Sequence, residues 1–98
     1  MPTLQIEHAI VDFDLWSVAF ERFAEARRRA GVRGHRVRRP VDDAHYVIID
    51  LDFTTTDEAR AFLAFLETTV WSSPENAPAL VGKPRTRVVD SAATHQVA

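Results

Sequence analysis

An α+β fold is predicted: one four-stranded antiparallel sheet of order βαββαβ, with both helices on one face. Three observations predict it. Two strand–helix–strand units stand in tandem in a chain of 98 residues. Segments with period-two alternation of apolar residues are interleaved with segments of helical spacing. Beyond these units nothing in the sequence can cover the second face of the sheet, which implies a partner, most simply a second copy.

The first strand is expected over Thr3–Val11, where Leu4, Ile6, His8 and Ile10 share one face and Thr3, Gln5, Glu7, Ala9 and Val11 the other. Asp12 or Asp14 can cap the helix that follows. That helix is expected over Phe13–Ala30, with Trp16, Ala19, Phe20, Phe23, Ala26 and Ala30 on its core stripe. Gly31 ends it, suited to a left-handed C′ position. The second strand is read as Gly34–Arg39, and Arg39–His45 as a polar turn containing Pro40.

Tyr46–Phe53 is the most apolar strand. Val47, Ile49, Leu51 and Phe53 lie on one face; Tyr46, Ile48, Asp50 and Asp52 lie on the other. Thr55 and Glu58 form a capping box for a helix over Thr56–Val70, whose stripe is Ala59, Phe62, Leu63, Leu66 and Val70. Ser73-Pro74 is a second helix start, which Pro78 limits to about a turn. Gly82 and Pro84 punctuate the approach to a last strand, Arg85–Asp90. Residues 1–90 read as a single domain and 91–98 as a loose tail.

Composition narrows the function classes. A 46% apolar content suffices for a core. A chain of this size still buries only ~60–70% of its unfolded surface, so an oligomeric interface would help. There is no cysteine, hence no disulfide, thiolate nucleophile or thiolate metal site. No signal-peptide pattern or membrane-length apolar run is present, and a cytoplasmic location is expected. The net charge of −2 gives no general attraction to nucleic acid. Arg27, Arg28, Arg29, Arg33, Arg36, Arg38 and Arg39 nevertheless fall within thirteen residues. The run could bind phosphates, but it lacks interleaved aromatics, and two plainer roles account for it. Arg27–Arg29 sit in a helix's last turn, where cations suit the dipole. Arg36 and Arg38 alternate along a strand and can pair with acids next door.

The strand alternation sorts the sheet into two faces. Leu4, Ile6, Ile10, Val47, Ile49, Leu51 and Phe53 should meet the helices. Glu7, Tyr46, Ile48, Asp50 and Asp52, with Arg36, Arg38, Arg85 and Arg87, should form the opposite face, read as a polar but satisfied homodimer interface.

The βαββαβ order, the capped second helix and the proline-containing turn before the last strand resemble the ferredoxin-like, dimeric α/β-barrel superfamily, and within it the antibiotic-biosynthesis monooxygenase-like branch. The runs Gly31–Val37, Pro40–Asp43 and Ala77–Pro84 look like those of uncharacterised small actinobacterial members. The resemblance covers residues 3–90. It implies two sheets facing each other across a dimer, with any substrate cavity inside each subunit between sheet and helices. A cofactor-independent monooxygenase or isomerase acting on a small, mostly apolar or aromatic molecule is the activity it suggests. A non-catalytic dimeric sensor or accessory module without an open pocket is the alternative.

On that expectation His8 is the candidate catalytic residue, the one titratable side chain amid the helix-facing apolar set. It could act as a general base or polarise a carbonyl; the plainer role is a buried histidine satisfied by a backbone carbonyl. Trp16, Phe20, Ile49, Phe62, Leu66 and Trp71 are the candidate pocket wall, with Phe65 as a further stacking residue. Aromatics at such spacing are also ordinary core; Trp71, at a helix end beside a loop, is the best placed to meet a ligand. Haem-degrading relatives use a histidine on the second helix and an asparagine early in the chain. Here Thr56–Val70 has no histidine and the sole asparagine is Asn76, which argues against haem and also weakens transfer of the cofactor-free monooxygenase mechanism. No cofactor is expected. No metal site is expected either: Glu7 and His8 point to opposite faces, and His35 and His45 lack a third ligand.

Overall fold

Alternation along β1 (Thr3–Ile10) is strict: the even positions Leu4 to Ile10 are buried and the odd positions half-buried. The computed structural model describes residues 1–93 of the chain. β1 pairs antiparallel with β3 (Tyr46–Asp52) on one side, Ile6 opposite Ile49 and His8 opposite Val47. On its other side it pairs with β4 (Leu80–Val89), and β2 (Gly34–Arg38) flanks β3. The sheet order is therefore β2-β3-β1-β4, with β1 and β3 central.

The apolar face meets the helices as expected. Leu4, Val47 and Phe53 are fully enclosed, and Ile6, Ile10, Ile49 and Leu51 nearly so. Truncating a residue such as Phe53 to alanine in such a core costs about 3–5 kcal/mol.

The Asp12 side chain caps α1 (Phe13–Arg22) by accepting from the Leu15 amide at 2.9 Å. The expected single helix Phe13–Ala30 is broken. α1 stops at Arg22, and α2 (Ala24–Ala30) begins after Phe23, whose backbone sits at φ −100, ψ 14. The cause is competition for one carbonyl. Phe20 O accepts from the Phe23 amide at 3.2 Å and from Arg27 Nη1 at 2.6 Å. Arg27 is buried beside this break.

Thr55 and Glu58 form the expected capping box on α3 (Thr56–Phe65). The helix does not run on as α to Val70: Leu66–Val70 is a π-helical turn, closed by the Trp71 amide donating to Leu66 O at 2.7 Å. The Thr68 hydroxyl donates to Ala64 O at 2.8 Å, offering that carbonyl a side-chain partner in place of an amide. Ser73-Pro74 starts no helix; the Ser73 carbonyl closes one turn by accepting from Asn76 and Ala77.

β4 starts at Leu80, five residues before the expected Arg85. Its register passes from Glu7–Arg85 to Ala9–Val81, four residues against two, which is a bulge holding Gly82, Lys83 and Pro84. An edge strand tolerates proline there, so residues that read as punctuation lie inside the strand. Of the tail read over 91–98, residues 94–98 lie outside the described residues.

Gly31 caps α2 at φ +91, and a Cβ there would stand 2.6 Å from Glu58 Oε2. Gly82 is also left-handed, at φ +72, with nothing within 4 Å. Gly31→Ala should lower stability in urea denaturation by about 1–2 kcal/mol for the backbone alone plus the cost of moving Glu58. Gly82→Ala should cost less, and equal costs would contradict the contact with Glu58.

Candidate functional site

β1 delivers His8 to the helix side of the sheet and β3 delivers Ile49. α1 supplies Trp16 and Phe20, α3 supplies Phe62, and the π-turn supplies Leu66 and positions Trp71 just beyond it. All seven side chains line one cavity of about 70 Å³ between sheet and helices. π-turns recur at functional sites, and this one aims Leu66, Val70 and Trp71 at the cavity. Phe65 lies outside the wall and packs edge-on against Phe23, 6.2 Å between ring centres.

The wall also contains Arg27, Asn76 and Ala79, which sequence reasoning did not select. For Arg27 the signal was present. It continues Trp16, Phe20 and Phe23 at helical spacing, but its charge and place in the last turn pointed to a solvent-facing role. Arg27 is instead 6% exposed. Its guanidinium lies 3.7 Å from the Phe20 ring centre, and Phe20 stacks on Trp16, which stacks on Phe13. Burial lowers the Arg27 pKa, opposed by Glu21; a guanidinium nonetheless stays charged.

His8 is 5% exposed, and Nδ1 lies 2.9 Å from Ala9 O. A carbonyl only accepts, so Nδ1 carries the proton and Nε2 keeps its lone pair. Burial lowers the His8 pKa below 6.5, partly offset by the bond to Ala9 O. The ring is therefore a neutral base at pH 7. His35 and His45 have separate partners: His35 sits edge-on to Phe20, and His45 Nδ1 lies 3.0 Å from Val11 O.

A second, more open cleft of about 330 Å³ adjoins the cavity, lined by Glu67, Ser72, Gly82, Lys83 and Pro84. Trp71 and Leu80 line both spaces.

The opposite face of the sheet is a network of charges. Arg36 forks onto Asp52 at 2.9 and 3.1 Å, Arg38 donates to Asp50 Oδ2 at 2.9 Å, and the Tyr46 hydroxyl donates to Glu7 at 2.8 Å. Arg36 holds the Asp52 carboxyl below its ordinary value. Asp50 is 5% exposed, and its Oδ1 has no hydrogen-bond donor among the described residues. Ala9, Ile48 and Val81 lie on the same face, Val81 exposed.

No known family model matches the chain, and no curated protein matches it. Solved structures do. A dimeric ferredoxin-like protein from an uncultured marine organism superposes with a TM-score of 0.64 at 14% identity, over 94% of this chain and 98% of the other. The chain has the ferredoxin-like fold. A candidate antibiotic biosynthesis monooxygenase from Nitrosomonas europaea gives 0.63 at 14% identity, over 93% and 90%. A second marine dimeric ferredoxin-like protein gives 0.61 at 8% identity, over 99% and 100%. Likeness at these identities carries the fold, and the expected actinobacterial kinship gains no support from it. Within the ferredoxin-like sheet, His8 lies on the helix-facing side of β1. No helix among the described residues is long and apolar enough to cross a membrane.

The lowered His8 pKa has a consequence for stability. Between its folded pKa and 6.5 the unfolded chain binds the extra proton, so stability falls as pH drops through that window and is full above it. NMR titration should place His8 below 6.5, and His8→Gln should flatten the acid-side loss of stability. A His8 that titrates at or above 6.5 would contradict its burial as a neutral base.

Proposed function

We propose that the protein is a homodimer that binds a small, mostly apolar or aromatic molecule in each subunit, between sheet and helices. The observation supporting this reading is the composition of one wall: aromatic and aliphatic side chains from β1, β3, α1, α3 and the π-turn, with His8 and Arg27 as its charged or titratable groups. Apolar lining with few polar groups is the usual form of a small-molecule site.

The cavity itself, about 70 Å³, is smaller than the ~300 Å³ at which such sites begin. Binding therefore requires Trp71 and Leu80 to move aside and join it to the outer cleft. In the bound state neutral His8 would take a proton from an activated C–H group and return it, an isomerisation that needs no cofactor. Cofactor-independent oxygenation would begin with the same proton removal, the resulting carbanion then being oxidised by dioxygen from solution, and the fold likeness to the Nitrosomonas protein favours keeping it. The small cavity also favours a second reading, a non-catalytic module whose aromatics fill its own interior.

The dimer is proposed to form through the charged sheet face. Three features support this: the dimeric state of the two marine proteins, the apolar Ile48 and Val81 set among the ion pairs, and the unsatisfied Asp50 Oδ1. A buried oxygen without a donor is costly, and reordering of the Arg36–Asp50–Arg38 cluster against a second copy would relieve it.

Toluene titrated against ¹⁵N-labelled protein should shift the amides of His8, Trp16, Leu66 and Trp71 in a saturable way. No saturable shift there would favour the filled-interior reading. Ile48→Arg should convert the dimer to monomer on gel filtration, at least tenfold weaker, with the fold intact by circular dichroism. An unchanged elution volume would place the interface elsewhere.

A further inference from the structure

We infer that this pocket is built for an anion: its ligand carries a carboxylate on an apolar or aromatic body, and Arg27 is the anchor. The inference rests on the pocket reading above and specifies the class of ligand.

Arg27 is a buried cation with no ion pair among the described residues. Glu25 pairs with Arg28 and Arg29, while Glu21, itself exposed, acts on Arg27 through its charge without forming an ion pair with it. Of five N–H donors, one is used, Nη1 to Phe20 O. That bond and the stacking on Phe20 fix the guanidinium plane and leave the rest of the fork without a protein acceptor. A buried charge is costly unless paired, so an arginine held this way is one prepared for an external partner.

The cavity suits such a partner. No described residue on its wall is acidic, so nothing there competes for the guanidinium. The apolar lining lowers the local dielectric and strengthens any charge pairing. Asn76 donates one amide N–H to Thr69 O at 2.9 Å and carries no charge to rival the guanidinium. His8 is neutral, so Arg27 is the wall's one described full charge. A planar carboxylate matches the guanidinium fork with two parallel hydrogen bonds. The cavity has room for such a group and little more, which leaves the apolar body of the ligand to extend past Trp71 toward the outer cleft.

Benzoate and benzamide, equal in shape and different in charge, test this by NMR titration beside toluene. Benzoate should bind wild type at least about tenfold more tightly than benzamide, the range expected for a hydrogen-bonded charge. Arg27→Met should abolish that preference, while Arg28→Met, at an exposed site, should leave both the preference and toluene binding unchanged. Equal binding of benzoate and benzamide, with toluene still bound, would overturn the anion inference and leave the pocket reading standing. A preference that survives in Arg27→Met would overturn it as well. No binding of any of the three would remove the pocket reading and this inference together. The wild-type comparison decides the matter even if Arg27→Met fails to fold.

Discussion

Everything in this molecule depends on the period-two alternation of β1 and β3, the two central strands. It places Leu4, Ile6, His8, Ile10, Val47, Ile49 and Leu51 on one side of the sheet, and Glu7, Tyr46, Ile48, Asp50 and Asp52 on the other. A one-residue slip of either strand would exchange the two sets, so register is strongly fixed. The apolar side must be roofed, and α1, α2 and α3 do so. The polar side has no such cover among the described residues, and its ion pairs between β2 and β3 hold the charges in place.

The helical roof is not continuous, and its two irregularities create the site. The break at Phe23 stands beside the buried Arg27, and the π-turn after Phe65 ends at Trp71 on the cavity wall. Each feature costs a regular helix some backbone hydrogen bonding. Each also lies beside a residue of the cavity wall, Arg27 and Trp71. The aromatic series Phe13, Trp16 and Phe20 links the start of α1 to Arg27 through stacked rings.

Much of the fold was legible because it rests on local patterns. Alternation identified β1 and β3 and sorted their faces, and Thr55 with Glu58 and Gly31 marked helix ends. What was not legible depended on long-range competition. The Arg27 side chain reaching back to Phe20 O breaks a helix whose apolar spacing runs on unbroken. The bulge in β4 exists because β1 is there to pair with, and in the sequence Gly82-Lys83-Pro84 resembles a terminus. The apolar wall of the cavity was readable from helix and strand periodicity. Arg27 was passed over, although it continues that spacing, because a cation in a last turn usually faces water.

The central claim is that the helix side of the sheet is a ligand site whose polar anchor is Arg27. A crystal structure of the protein grown with benzoate tests it most directly. The account predicts the carboxylate within hydrogen-bonding distance of the Arg27 guanidinium, the ring against Trp16 and Leu66, and Trp71 displaced from its present position on the cavity wall. Benzoate bound solely on the charged face of the sheet, or an unaltered cavity with Arg27 still unpaired, would contradict it.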